Sequence, residues 1–194
     1  MTDIDQKLEI LYDLLVDNLG EFETALIDLI QNPEKINDIN NFGLLLSCLK
    51  NTIFINPLLL KISTADKDDF WLRSFLYAVI NLINETPEDE EFDTPRALIN
   101  KLENWTLNNT GELAWKAAKL LAFYESETAQ RIQLAKLEQK DFWMTHAECI
   151  QGLLRFNKEK YTPLVMEIVK DETRDKNLRE HCEGVLQRLQ KPNR

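Results

Sequence analysis

The chain is poor in the residues that interrupt secondary structure: its 194 residues include 5 Gly and 6 Pro. A many-stranded sheet needs turn residues at each hairpin, so this scarcity argues against an all-β chain and for helices with sparse punctuation. Cysteine is scarce as well. Cys48, Cys149 and Cys182 are odd in number and scattered, which excludes a disulfide framework and leaves reduced thiols packed as small apolar groups. No apolar run reaches the roughly 18 residues needed to cross a bilayer. The opening Met1-Thr2-Asp3-Ile4-Asp5 is acidic where a secretory signal is basic, so a cytoplasmic protein is expected. There is no G-x-S-x-G elbow and no Gly-rich phosphate loop; Gly43, Gly152 and Gly184 lie inside apolar helical runs, where close helix packing is the simpler role.

What the chain does have is an ordinary apolar content of 44% and an uneven charge. A core of usual size is therefore expected, within one α-helical repeat domain spanning residues 1–194. The net charge of −10 is not spread evenly: residues 1–97 hold 19 acidic against 7 basic side chains, and residues 98–194 hold 14 against 16. The halves thus carry −12 and +2. An acidic surface repels phosphate backbones and attracts basic proteins, which argues against nucleic acid as a ligand of the first half.

Apolar residues recur at steps of three and four along most of the chain, the stripe of an amphipathic helix. Ile4, Leu8, Leu11, Leu15 and Leu19 predict a first helix over 3–19, with Thr2 and Asp5 as a capping box and Gly20 as its stop. A second runs over 21–31 and ends at Asn32-Pro33. Asn37 or Asp38 caps a third, through Lys50, and Asn56-Pro57 opens a short one through Ile62. Ile53-Phe54-Ile55 has strand composition, but nothing else offers it a sheet. Further helices are predicted over 66–84, 94–105, 111–124, 128–137, 141–156, 163–170 and 175–189, about eleven in all, alternately longer and shorter and arranged in antiparallel pairs.

Short matches recur at the spacing of a helix pair. Leu120-Leu121-Ala122-Phe123 matches Leu153-Leu154-Arg155-Phe156, and Gly152-Leu153-Leu154 matches Gly184-Val185-Leu186. Asp69-Phe70-Trp71 returns as Asp141-Phe142-Trp143, two such spacings on. All three land on the same phase of successive long helices. On this pattern residues 94–190 resemble the HEAT-like and armadillo-like α-solenoids, in which each helix pair buries its apolar stripe against its neighbours. The resemblance implies an all-α, right-handed solenoid that binds a partner along a continuous helical surface; an irregular helical bundle is the alternative.

Three groups of residues are candidates for a site. His146, Cys149, His181 and Cys182 have the chemistry of zinc ligands, but adjacent His181 and Cys182 point about 100° apart, so one site uses only one of them. Core packing of the thiols is the simpler reading, and no metal or other cofactor is expected. His146 three residues before Cys149 also suggests a thiol and its base, without an orienting third group. The second group is the acidic stretch Glu88, Asp89, Glu90, Glu91, Phe92 and Asp93, a docking site for a basic partner with Asp66, Asp68 and Asp69 on the same rim and Phe92 as apolar anchor. It lacks the alternating ligands and turn Gly of an EF-hand, and a solvated connection is its plain reading. The third is the pair of dipeptides Phe70-Trp71 and Phe142-Trp143: neighbouring aromatics cannot face one core together, so one of each sits at a seam or on the surface. Trp71 is the candidate partner contact of this group.

These features rank three functions. The first is a non-enzymatic protein-binding module, most concretely an immunity or antitoxin-type inhibitor whose acidic surface covers the cleft of a basic nuclease toxin. The second is a nucleic-acid-processing enzyme on a HEAT-like scaffold, which requires a basic groove. The third is a structural subunit of a larger complex, held by an apolar interface.

Overall fold

In a computed structural model the protein is all-helical, and the structure describes residues 19–87, Phe92 and residues 94–190. Ten α-helices run in order: α1 Leu19–Gln31, α2 Ile39–Leu49, α3 Ile55–Ser63, α4 Leu72–Glu85, α5 Arg96–Asn108, α6 Gly111–Leu121, α7 Glu127–Leu137, α8 Trp143–Phe156, α9 Lys158–Lys170 and α10 Lys176–Gln190. There is no strand among the described residues. The helix predicted over 3–19 lies outside them, apart from Leu19. Gly20, read as its stop, is instead helical and continuous with α1.

Local chemistry sets most boundaries. The Asp38 carboxylate accepts the Asn41 N–H at 3.0 Å to start α2. Ser126 does the same for α7 through Ala129 (3.1 Å), and Asn157 for α9 through Lys160 (2.9 Å). Ile53-Phe54-Ile55 is no strand: a 3-10 turn over Thr52–Phe54 runs straight into α3, with Phe54 and Ile55 fully buried. Gly111 opens α6 with φ +69°, a backbone value that favours glycine.

Two predicted starts are corrected. α4 begins at Leu72 and not at Asp66, because the Asp69 carboxylate accepts the Asp66 N–H (2.8 Å) and folds 66–71 into successive turns. α9 begins at Lys158, five residues before Pro163. The Asn157 cap and buried Tyr161 fix its first turns, and the helix continues past Pro163 without that residue's N–H. Nor do lengths alternate: α1, α2 and α3 have 13, 11 and 9 residues.

The helices pack in two rows. α1, α3, α5 and α7 succeed one another in one row, and α2, α4, α6, α8 and α10 in the other, while α3/α4, α5/α6, α7/α8 and α9/α10 pair across. This order is compatible with a helical-repeat fold. The sequence matches fall on one row: Leu120 and Leu153 near the ends of α6 and α8, Gly152 and Gly184 in α8 and α10. At Gly152 an added Cβ would lie 2.9 Å from the Ala122 Cα, and at Gly43 it would lie 2.9 Å from the Ser74 carbonyl oxygen, so both permit close helix approach. Gly184 has nothing within 4 Å, and close packing does not explain it.

The corners share one device. The last carbonyls of a helix lack intrahelical donors and carry the negative end of its dipole, so a cation fits there. Lys61 of α3 donates to the Gln31 carbonyl at the end of α1 (2.8 Å), and Lys101 of α5 to the Ala65 carbonyl just past α3 (2.6 Å). Lys136 of α7 donates to the Asn109 carbonyl after α5 (3.1 Å), and Arg174, after α9, to the Leu137 carbonyl ending α7. Four successive corners are thus each pinned by a cation from the next helix pair.

Candidate functional site

Two edges bound the rows, and side-chain contacts fix what lies on each. Arg73 meets Glu112 at 3.6 Å, and the Gly111 N–H reaches the Asp141 carboxylate at 3.4 Å, so the starts of α4, α6 and α8 stand side by side. At the other edge Lys50 pairs with Glu85 (2.8 Å) and the Arg155 guanidinium lies 4.5 Å from the Phe123 ring centre, which aligns the ends of α2 with α4 and of α6 with α8.

Of the expected acidic rim, Asp66, Asp68 and Asp69 stand in the turns that precede α4. Glu88, Asp89, Glu90, Glu91 and Asp93 lie outside the described residues, and Phe92 is half-buried against the larger apolar cluster. Asp66 and Asp68 are exposed, with Asp66 3.5 Å from Lys101, while Asp69 is half-buried and spends its carboxylate on the turn. Much of the first half's excess charge lies outside the described residues: residues 19–87 and 94–97 hold nine carboxylates against six cations.

Trp71, named as a partner contact, is a core residue at 5% exposure, its ring 5.2 Å from Phe75 and 5.2 Å from the Lys61 ammonium. The surface member of that dipeptide is Phe70, at 60%. In the second dipeptide Phe142 is 43% exposed, and half-buried Trp143 packs toward His181 of α10. Both tripeptides thus turn Phe outward and Trp inward, although Phe70 lies two residues before α4 and Phe142 one residue before α8. The sequence match had marked the pair without saying which ring faces out.

Cys149 and Cys182 are fully buried in the second apolar cluster, and Cys48 is exposed. Burial pushes the Cys149 thiol up to about 12 and that of Cys182 to about 11, so both are protonated at neutral pH. Among the described residues no group of three or more His, Cys, Asp or Glu side chains is placed to hold a metal ion. His146 and His181 are both held below the ordinary imidazole range, chiefly by burial. For His146 the Arg174 cation adds to this, and Asp141 opposes it.

Sequence gave no warning of the pair Lys136 and Asp141, which lie 2.6 Å apart with both side chains 1% exposed. Asp141 also accepts the Phe142 N–H (2.6 Å) and Lys136 reaches Gln139 (3.2 Å), so the pair ties the α5–α6 corner to the α7–α8 corner. On the outward face of α4, α6 and α8 most cations are paired: Lys116 with Glu112 (2.9 Å) and Lys119 with Glu148 (3.5 Å), which also accepts the Trp115 N–H (3.1 Å). A shallow cleft of about 400 Å³ lies between α7 and α9, beside Arg131, Lys160 and Phe156, where the Tyr161 hydroxyl donates to Gln130 (2.6 Å). A more apolar cleft of about 420 Å³ lies between α1 and α3, walled by Ile27, Pro57, Leu60 and Pro95. No described helix is long and apolar enough to cross a membrane. No family model, no curated protein and no solved structure matches this chain.

Proposed function

We propose that this chain is a non-enzymatic protein-binding module: a HEAT-like, right-handed α-solenoid whose acidic first half docks on a basic protein. In its most concrete form it is an immunity or antitoxin-type inhibitor that occupies the substrate cleft of a nuclease toxin in the cytoplasm. The observation that carries the reading is the segregation of charge, −12 over residues 1–97 against +2 over residues 98–194. Clefts that hold nucleic acid are positively charged, so an acidic protein is complementary to them and is steered toward them. The solenoid reading is supported by neighbour-to-neighbour packing in two rows and by the cation at each of four corners. A nucleic-acid-processing enzyme on this scaffold would need a basic groove, and the pairing of Lys116 and Lys119 with Glu112 and Glu148 speaks against one on the outward face of α4, α6 and α8.

The test is affinity capture from the native host, native mass spectrometry of what is captured, and charge reversal. Asp66→Lys with Asp68→Lys, and separately Glu88 to Glu91 changed to Lys, are expected to weaken binding and slow association about tenfold or more. Asp69 is left intact because its carboxylate holds the turn before α4. A chain that captures no protein, or a partner indifferent to both reversals, refutes the reading.

A further inference from the structure

We propose that the segment before α1, residues 3–18, covers the end of the two rows at α1 and α2, with Ile4, Leu8, Leu11 and Leu15 packed against Phe22, Ala25 and Leu29 of α1 and Leu45 and Leu49 of α2. This does not depend on the docking function proposed above; it adds what closes that end and how part of the first half's acid is displayed.

Contacts with the next helices show which way each side chain points. On α2, Gly43 lies against Ser74 of α4 and the Asn40 side chain accepts the Ser74 hydroxyl (2.7 Å), so that side faces the next helix of the row. At about 100° per residue, Leu45 and Leu49 lie roughly opposite. On α1, Ile27 and Gln31 border α3, with Gln31 donating to the Pro57 carbonyl (3.4 Å), and Phe22, Ala25 and Leu29 lie roughly opposite them. Both helices thus turn apolar side chains away from the rest of the array. Phe22 is 46% exposed and Leu45 38%, Ala25 is exposed, and Leu29 and Leu49 are half-buried. None of these side chains is charged.

An array of stacked helices needs terminal units that are apolar inward and polar outward. At the other end α10 meets this need, since none of its described large apolar side chains is exposed. α1 and α2 do not meet it alone. Residues 3–18 have the missing pattern: Ile4, Leu8, Leu11 and Leu15 recur on one face of a helix, with Glu9, Asp13 and Asp17 at steps of four on the opposite face. As a helix this segment spans roughly 24 Å, enough to cover α1 and α2, which have 13 and 11 residues.

Covalent continuity favours this occupant over a separate molecule. The segment joins α1 at Leu19, so its docking is intramolecular and independent of protein concentration. Asn18 stands where the chain has to reverse, and Asn accepts the left-handed backbone of a helix stop. Because neither the face nor the stripe is charged, packing one on the other strands no ion. It also turns Glu9, Asp13 and Asp17 outward, which displays acid of the first half at this end.

The test uses the purified full-length chain with Cys48→Ser and measures how fast a maleimide labels Ala25→Cys, with Thr24→Cys, exposed and turned roughly 100° away, as control. The expected result is a monomer in which Ala25→Cys is labelled about tenfold or more slowly than Thr24→Cys. Leu8→Asp with Leu11→Asp abolishes the difference, whereas Glu9→Lys with Asp13→Lys preserves it. Buried Cys149 and Cys182 report on the fold by staying unlabelled; if the Asp pair exposes them, Leu11→Ser takes its place. Ala25→Cys labelled as fast as Thr24→Cys overturns the proposal. So does protection that survives the stripe variants, which gives the face to another segment. Protection confined to a dimer in native mass spectrometry and lost on dilution gives it to a second copy and overturns the proposal as well. None of these results bears on whether a basic protein is bound, so this inference and the docking function fail separately.

Discussion

The interior around α2, α3 and α4 and the interior around α7 and α8 hold together by different means. The first is apolar: Phe54, Phe75, Leu58, Leu59, Leu72 and Leu76 are fully buried, and among the described residues its buried polar side chains are Ser63 and Ser74. The second buries Gln130, Gln133, Lys136, Thr145, His146 and Glu148 among its apolar residues. Apolar packing tolerates changes of pH and is felt mainly through volume. A buried ionic network depends on having every partner present and on protonation state. Lys136 and Asp141 therefore fix one arrangement of the corner behind Phe142 through a buried ion pair, whereas the corner behind Phe70 rests on the packing of Trp71 and Phe75 and on the exposed turn bond of Asp69.

The largest effects should separate the two regions by their rescue. Phe75→Ala is expected to cost about 3–5 kcal/mol in chemical denaturation. Lys136→Met should cost a comparable 3–5 kcal/mol because it strands a buried carboxylate, but adding Asp141→Leu should recover much of the loss; a double variant no better than the single would show that the ion pair is not what holds the corner. Gly152→Ala, with its Cβ forced to 2.9 Å from the Ala122 Cα, should cost about 1–3 kcal/mol.

A titration sharpens the contrast further. His146 and His181 have pKa values depressed from 6.5 in the folded state. The unfolded chain takes up their protons first on acidification, so the stability they confer is full above about 6.5 and is lost as pH falls through the folded values. Denaturation followed from pH 7.5 downward should show this loss, and His146→Asn should reduce the slope. Smaller again, Gly184→Ala should stabilise by about 0.5–1 kcal/mol, since nothing lies within 4 Å of its added Cβ and the helix loses a glycine. Phe70→Ser should change stability by less than about 0.5 kcal/mol, because the ring is largely exposed.

Helix periodicity was legible for all ten described helices because the stripe at three and four residues carries it, and Asp38 and Asn32-Pro33 marked real ends. Where a side chain competed for backbone partners, as Asp69 does before α4, or where a cap overrode a proline, as Asn157 does at α9, the pattern gave the wrong start. The site was less readable. Hydropathy puts a lysine outside, so the burial of Lys136 had no signal at all. The repeated Asp-Phe-Trp was visible, but only packing decides which of two adjacent rings faces the core.

The central claim, an acidic module steered onto a basic protein, is tested most directly by the association rate with the captured partner as salt is raised from about 50 mM to about 500 mM. Steering by the first half's −12 requires the rate to fall about tenfold or more while dissociation changes far less. A rate that is independent of salt, or that rises with it, would contradict the account.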